Sequence, residues 1–220
     1  GTPLAVMDGK AITARRTAAA SALAASYLAI PQSNHHLVIG AGAVAAMLVP
    51  AMRAVRPITQ VTLWNRTIAK ADLLAERLTS EGHEVRVTSN LEAALAEADI
   101  VSAATMSAEP LVRGDLVKPG AHVDLVGAFN PRLRESDDAL MARARLFVDT
   151  RGGALAEAGD ILQAIASGAI DEAAIVADLA EICRGDHSGR RSGDEITVFK
   201  SVGAAIEDLV AANLVLDRAG

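Results

Sequence analysis

One glycine-containing segment, Leu37–Ala45, constrains the fold more than any other part of the chain. Residues 37–39 are apolar, as in a buried parallel strand, and Gly40, Gly42 and Ala45 follow in the spacing G-x-G-x-x-A. In this motif the first glycine makes a tight turn and the second lets the backbone approach a pyrophosphate, while the small third residue lets a helix pack close to the strand. The segment therefore predicts a strand, a turn and a helix whose N-terminus can hold phosphates.

Short β-rich runs alternate with helical stretches along the chain, which predicts an α/β fold with a doubly wound parallel sheet of the Rossmann type. The predicted strands lie at 37–39, 61–65, 85–88, 100–104, 121–126, 146–149 and 196–199. Beyond the helix of the motif, the predicted helices lie at 14–28, 68–80, 91–98, 137–143, 155–166, 172–183 and 202–216. Thr13 is interpreted as the cap of the first helix, and residues 1–12 as an end strand of another sheet.

Composition excludes several classes of protein. A net charge of −6 and 2% aromatic residues argue against nucleic-acid binding, which needs a basic face and stacking side chains. No apolar run reaches the roughly 18 residues of a membrane span. Cys183 is the only cysteine and is interpreted as a core residue, so a disulfide framework is excluded and a reducing, cytoplasmic location is favoured. No cluster of His, Cys, Asp and Glu at ligand spacing predicts a metal site.

The end of the second predicted strand tests the dinucleotide hypothesis. NAD-binding proteins of this type carry an acidic residue about 20 residues beyond the glycines, where it binds the ribose 2′-hydroxyl. Here the strand ends in Asn65, Arg66 and Thr67 instead. Arg66 can stack on adenine and pair with a 2′-phosphate, and Asn65 and Thr67 can donate hydrogen bonds to that phosphate. The pattern favours NADPH, with NADH as the alternative.

Two further strand ends carry small residues. The fourth strand ends in Ala104, Thr105, Met106 and Ser107, and the fifth in Val126, Gly127 and Ala128. Ligands of open α/β sheets bind at the carboxyl ends of the strands. These residues therefore predict a pocket for the nicotinamide ring.

Few residues are candidates to hold a substrate or to donate a proton to it. Candidates for an anion clamp are Arg15, Arg16 and Lys200, although on the residues alone a solvated helix face is the preferred interpretation of the two arginines. The adjacent His35 and His36 are interpreted as surface residues. Glu157 and Asp160, one helical turn apart, are interpreted as a solvated pair. No serine lies in a G-x-S-x-G frame, so acyl transfer has no support.

An ordered set of motifs resembles the ornithine cyclodeaminase/mu-crystallin family. The set comprises the run 13–19, the glycine motif, Trp64 to Thr67, Ala104 and Thr105 with Pro110 and Leu111, Gly127 with Pro131 and Glu135, and the segment 196–208. The resemblance implies a Rossmann domain, residues 17–220, joined to a substrate and dimerisation domain. Residues 1–16 are then the tail of that second domain, of which roughly the first hundred residues lie outside this chain. It also implies a homodimer formed through that domain.

The resemblance assigns roles by position. Arg16 matches the arginine that binds the substrate carboxylate. Positions that contact the dinucleotide are Gly42, Ala43, Val44, Asn65, Arg66, Thr67, Thr105, Val126 and Val202.

Phe129 stands where true ornithine cyclodeaminases carry a catalytic aspartate, and a phenyl ring neither activates water nor accepts a proton. The segment from Gly127 to Asp138 is more similar to the branch that reduces the cyclic ketimines Δ1-pyrroline-2-carboxylate and Δ1-piperideine-2-carboxylate to proline and pipecolate. Three alternatives remain: another amino-acid dehydrogenase of the family, an ornithine cyclodeaminase, or a non-catalytic ligand-binding protein of the mu-crystallin kind.

Overall fold

The apolar runs form a parallel eight-stranded sheet in the computed structural model, which describes residues 1–219. Gly220, the last residue of the predicted Rossmann domain, lies outside the described residues. The strands, in chain order, are β1 (His35–Ile39), β2 (Gln60–Trp64), β3 (Arg86–Val87), β4 (Ile100–Ala103), β5 (His122–Leu125), β6 (Arg145–Val148), β7 (Ile175–Asp178) and β8 (Thr197–Lys200). The predicted α/β class with a parallel, doubly wound sheet is confirmed.

The order of the strands places a crevice at the end of β1. Across the sheet they run β3-β2-β1-β4-β5-β8-β6-β7. The chain moves outward from β1 to β2 and β3, and then returns to pair β4 with the other side of β1. Crossovers on the two sides of β1 diverge, and this point of divergence is where open α/β sheets bind ligands.

Helices cover both faces of the sheet. They are α1 (Gly9–Leu28), α2 (Ala43–Val55), α3 (Ile68–Ser80), α4 (Leu91–Glu97), α5 (Asp138–Arg143), α6 (Arg151–Glu157), α7 (Gly159–Ala166), α8 (Leu179–Arg184) and α9 (Ala205–Ala219). Helices α1, α2, α3 and α8 pack on one face, and α4 to α7 pack on the other. Helix α9 lies against α1. Within residues 1–219, no helix combines the length and apolarity needed to cross a bilayer.

Small side chains set the spacing between the first two helices. Ala18 and Ala25 of α1 belong to the same buried cluster as Ala45 and Ala46 of α2, which lies over Val38 of β1. Alanine leaves the backbones free to approach closely, and it has the highest helix propensity. Because aromatic residues are scarce, small side chains fill this part of the core, and the helices pack close to each other and to the sheet.

The N-terminal segment differs from its prediction. Helix α1 begins at Gly9, because the side chain of Asp8 accepts a hydrogen bond from Lys10 N at 2.9 Å and caps the helix. Residues 1–8 contain no strand, so the predicted end strand and the predicted Thr13 cap are wrong. Since α1 runs without a break across residue 16, the domain boundary placed there stays a prediction.

The predicted helix 172–183 is also wrong. A single 3-10 turn, Glu172–Ala174, is followed by β7 and then by the short helix α8. Asp178 ends the strand and starts the helix: its side chain accepts from Glu181 N, and the Glu181 side chain accepts from Asp178 N. This reciprocal capping box is a local signal for a helix start. The predicted helix 155–166 is divided into α6 and α7.

Three predictions of exposure are reversed. His35 and His36 are buried, because Thr62 and Ser102 of the neighbouring strands each place a hydroxyl 2.9 Å from a ring nitrogen. Burial lowers the pKa of His36 to about 3, so that ring is neutral in the fold. Cys183 is exposed rather than buried, because α8 turns other side chains toward the sheet.

Asp124 is a buried carboxylate at the centre of the sheet. It lies on β5 beneath α1, and neither of its oxygens has a hydrogen-bond partner at standard distance among residues 1–219. Burial raises the pKa of Asp124 to about 7; the hydroxyls of Ser21 and Ser102 and the charge of Lys200 oppose this shift only in part.

Replacing Asp124 with asparagine is expected to stabilise the fold increasingly as pH rises. The folded-state pKa lies above the ordinary value near 3.8, so the cost of burying the charge is absent below pH 4 and complete above pH 7. The shift corresponds to a gain on the order of 4 kcal/mol at pH 8 and less at pH 5. Urea unfolding at both pH values measures it, with Asp115→Asn as the exposed control. Equal gains at the two pH values would contradict the expectation.

Candidate active site

Two adjoining cavities open at the carboxyl ends of β1, β4, β5 and β8. The larger, here the inner cavity, has a volume of about 400 Å³, and the smaller, the outer cavity, about 290 Å³. The inner cavity is lined by Thr13, Arg16, Thr17, Gly42, Ala43, Val44, Ala104, Thr105, Met106, Val126, Gly127, Phe129, Ser201, Val202 and Gly203. The outer cavity is lined by Gly40, Ala41, Gly42, Trp64, Asn65, Arg66, Lys70, Ala104, Thr105, Met106, Ser107 and Leu111.

The structure brings together Arg16 and all but one of the residues predicted to bind the cofactor. The exception is Thr67, the N-cap residue of α3, which lines neither cavity. The sequence prediction missed several others, among them Lys70 and Ser201. Lys70 had a signal: it lies in the first turn of α3, the helix that begins two residues after Arg66. What each residue binds stays a prediction at this point.

The glycine turn joins the two cavities. Gly40 has φ +119°, and a Cβ there would lie 2.6 Å from Ala104 O, so only glycine fits. Gly42 is the N-cap residue of α2, has open space where a side chain would project, and supplies no side-chain cap. The N–H groups of the first turn of α2 therefore face the cavities without side-chain acceptors, as a phosphate site requires.

The outer cavity is basic. Arg66 and Lys70 line it, and no Asp or Glu is among the described residues that do so. Asn65 Nδ2 donates to Thr67 O at 2.8 Å, which shapes the turn between β2 and α3. Arg66 is exposed and makes no ion pair within residues 1–219. The cavity presents cationic groups where a dinucleotide would place its adenosine half.

Glu135 connects the ends of two strands behind the wall of the inner cavity. Its carboxylate accepts hydrogen bonds from Thr105 N at 2.7 Å, Thr105 Oγ1 at 2.8 Å and Gly127 N at 2.6 Å. A Cβ at Gly127 would lie 1.8 Å from Thr105 O, so the two strand ends meet without an intervening side chain. Burial raises the pKa of Glu135 to about 7. Residue-type patterns did not identify this role, because the contacts join three separate segments.

Asp160 and Lys200 extend this buried group and correct two predictions. Asp160 is fully buried, where a solvated pair was expected, and its Oδ1 accepts from Glu135 N, Ser136 N and Ser136 Oγ, each at 2.8 Å. Lys200 is also buried: its Nζ donates to Leu125 O at 3.1 Å and lies 3.6 Å from Asp160 Oδ2. Lys200 does not line the inner cavity, so the structure gives no support to it as an anion clamp.

Arg16 reaches the inner cavity, whereas Arg15 is exposed on the other side of α1. Two carboxylates of α9 hold the guanidinium of Arg16. Its Nη1 lies 2.9 Å from Glu207 Oε2, and its Nε lies 3.0 Å from Asp208 Oδ1. Gly203, at φ +92°, leaves room for the group, since a Cβ there would lie 2.7 Å from both Nη1 and Nη2. The carboxylates orient the guanidinium, and Nη2 has no protein acceptor among the described residues.

The inner cavity contains few groups that exchange protons. Phe129 lines it, as does the single guanidinium of Arg16, and the remaining polar groups are hydroxyls and backbone. No carboxylate or imidazole of the described residues faces it. Within residues 1–219, no cluster of three or more His, Cys, Asp or Glu side chains forms a metal site. The arrangement suits chemistry in which the protein binds and orients an anion beside a dinucleotide.

Comparison with known proteins finds one matching family model and several relatives of similar sequence. The model of the ornithine cyclodeaminase/mu-crystallin family matches residues 1–220. The chain is 47% identical, over 96% of its length and 67% of the relative's, to a Δ1-pyrroline-2-carboxylate reductase from Paracoccus denitrificans.

Two solved structures superpose on the whole of this chain. The Δ1-pyrroline-2-carboxylate reductase of Thermococcus litoralis, in complex with NADH and L-proline, superposes with a TM-score of 0.97 at 39% identity, over all of this chain and 68% of that one. An archaeal alanine dehydrogenase dimer with bound NAD superposes at 0.92 with 33% identity, over all of this chain and 68% of that one. This chain spans about two thirds of the length of each of these relatives. The chain therefore belongs to the ornithine cyclodeaminase/mu-crystallin family.

Proposed function

We propose that the protein reduces a cyclic ketimine carboxylate, Δ1-pyrroline-2-carboxylate or Δ1-piperideine-2-carboxylate, to L-proline or L-pipecolate with a nicotinamide cofactor. One observation carries the proposal: the glycine turn and the guanidinium of Arg16 line the same inner cavity, and no carboxylate of the described residues does. The relative from Paracoccus denitrificans named for this reaction, at 47% identity, supports the substrate class.

The residues bind and orient more than they react. Arg16 holds the substrate carboxylate, and Glu207 and Asp208 keep the guanidinium in place. The cofactor supplies hydride. The imine enters already protonated on nitrogen, its carbon accepts the hydride, and the electron pair of the C=N bond moves to nitrogen, which keeps its proton and becomes a secondary amine. Orientation of donor and acceptor alone can contribute roughly 7–11 kcal/mol, so a cavity without an acid or base is sufficient.

The cofactor occupies both cavities in this proposal. Gly42, Ala43 and Val44 at the N-terminus of α2 would hold its pyrophosphate, and Thr105 and Val202 would hold its nicotinamide in the inner cavity. The basic outer cavity takes the adenosine half. Arg66 and Lys70 favour NADPH over NADH, because they can pair with a 2′-phosphate and no acidic residue opposes it.

We further propose a cytoplasmic homodimer in which residues 1–16 belong to the substrate and dimerisation domain. Exposed apolar side chains support a covered surface: Leu4 and Val6 near the N-terminus, and Ile206, Leu209 and Val210 on α9. The related alanine dehydrogenase structure is a dimer. Sedimentation velocity of the complete protein tests the assembly, and a monomer at micromolar concentration would contradict it.

Oxidation of NADPH followed at 340 nm tests the activity. The complete protein is expected to oxidise NADPH with either ketimine faster than with pyruvate and ammonia. Faster turnover of pyruvate and ammonia would favour an amino-acid dehydrogenase, and release of ammonia from ornithine a cyclodeaminase. Tight binding of cofactor and ketimine without turnover would identify a ligand-binding protein.

Replacing Arg16 with alanine is expected to raise the KM for the ketimine about a hundredfold, because the substrate carboxylate loses its charged partner. The Kd for NADPH is expected to stay within about threefold of the unaltered protein. Arg15→Ala, which removes the neighbouring exposed guanidinium, is the matched control and should change neither constant. A loss of cofactor binding equal to the loss of ketimine binding would contradict the assigned role.

Replacing Arg66 and Lys70 together with alanine is expected to weaken NADPH binding at least tenfold and to leave NADH binding nearly unchanged. The two cations would lose their charge-assisted contacts with the 2′-phosphate, which NADH lacks. Titration calorimetry with each cofactor measures the effect. Arg77→Ala, on the same helix and paired with Glu81 outside the cavity, serves as the control. Equal weakening of both cofactors would overturn the NADPH assignment.

A further inference from the structure

A net negative charge is buried directly behind one wall of the inner cavity. Two carboxylates, Glu135 and Asp160, lie there with a single ammonium, Lys200, and all three side chains are at most 1% exposed. Lys200 Nζ is 3.6 Å from Asp160 Oδ2, so these two charges compensate each other. Ionised Glu135 is stabilised by the more distant Lys200 charge and by three hydrogen bonds from uncharged donors. When Glu135 is ionised, the three side chains together carry a net charge of −1.

The wall between this charge and the cavity is one residue thick. Thr105 and Gly127 line the cavity and donate to the Glu135 carboxylate. Gly127 has no side chain to widen the separation, and a Cβ there would lie 2.5 Å from Glu135 Oε1. A charge so close to a cavity and removed from water acts through a low effective dielectric, where its influence is strong.

We propose that Glu135 is a positioning residue that sets the ends of β4 and β5 against the nicotinamide and favours the oxidised form of the bound cofactor. The inference rests on the proposed function, because it places the nicotinamide in the inner cavity. The reduced ring is neutral, and it acquires a positive charge when the hydride, one proton with two electrons, leaves. A fixed negative charge behind the ring lowers the free energy of that cation, and of the transition state in which it develops.

Protonation of Glu135 would remove the effect. Burial and the neighbouring Asp160 charge raise the pKa of Glu135 to about 7, against the opposing influence of Lys200 and of the Thr105 donors. The groups that face it are Lys200 from β8, Asp160 from α7 and Thr105 from the end of β4. Since only the ionised carboxylate attracts the oxidised ring, the preference for that ring should be complete near pH 8.5 and lost near pH 6.

Dissociation constants of NADP⁺ and NADPH test the inference without catalysis. NADPH binding is followed by energy transfer from Trp64, the only tryptophan, which lines the outer cavity, and NADP⁺ binding by calorimetry. At pH 8.5, Glu135→Gln is expected to raise the ratio of Kd for NADP⁺ to Kd for NADPH about tenfold. The 2′-phosphate titrates in both forms, so it cancels in the ratio.

Two comparisons separate charge from geometry. Thr105→Val removes one hydrogen bond but keeps the Glu135 charge, and is expected to weaken both cofactors without changing the ratio. In the unaltered protein, the ratio is expected to rise about fivefold as pH falls from 8.5 to 6, a measurement that stands even if Glu135→Gln fails to fold. Equal weakening of both forms in Glu135→Gln, or a ratio independent of pH, would overturn the inference while leaving the cofactor site intact. Failure of the unaltered protein to bind either form would overturn the proposed function with it.

Discussion

The close approach of three strand ends is the constraint on which the rest of the site depends. Gly40 at the end of β1 lies against Ala104 O, and Gly127 at the end of β5 lies against Thr105 O, at distances that exclude any Cβ. These contacts leave space for the two cavities directly above the sheet and expose the first turn of α2. On the side away from the cavity, the Glu135 carboxylate accepts hydrogen bonds from Thr105 N at the end of β4 and Gly127 N at the end of β5. Backbone groups thereby form the cavity walls, and side chains determine its charge.

Charge is separated across that wall. The described residues that face the cavities include Arg16, Arg66 and Lys70 but no acid, whereas Glu135 and Asp160 are buried behind the wall and Asp124 is buried beneath α1. This distribution suits an anionic cofactor and an anionic substrate, because the cations face the ligands. The buried acids cost stability unless donors or Lys200 compensate them, and Asp124 is the least compensated of the three.

Sequence reasoning succeeded where the information was local. The glycine spacing and the apolar runs predicted the first strands and their helices, since a fully buried parallel strand needs a continuous apolar run. It failed at 172–183, where the half-buried edge strand β7 is only four residues long and Asp178 starts a new helix. It failed also for His35, His36 and Asp160, whose burial depends on hydroxyl and backbone donors supplied by distant segments. A polar residue has no sequence signal for a partner that only folding brings near it.

The sequence by itself determined the fold class, the position of the glycine turn and the basic character of the outer cavity. Each of these follows from neighbouring residues, because glycine conformation, helix termini and the charge of an exposed side chain are local properties. Only the tertiary structure decided that Lys200 pairs with Asp160 instead of facing the cavity, that α9 holds Arg16 in place, and that Glu135 joins two strand ends. Those contacts span up to about 190 residues of chain, and burial depends on what the packed neighbours supply, which is why no pattern of spacing contains it.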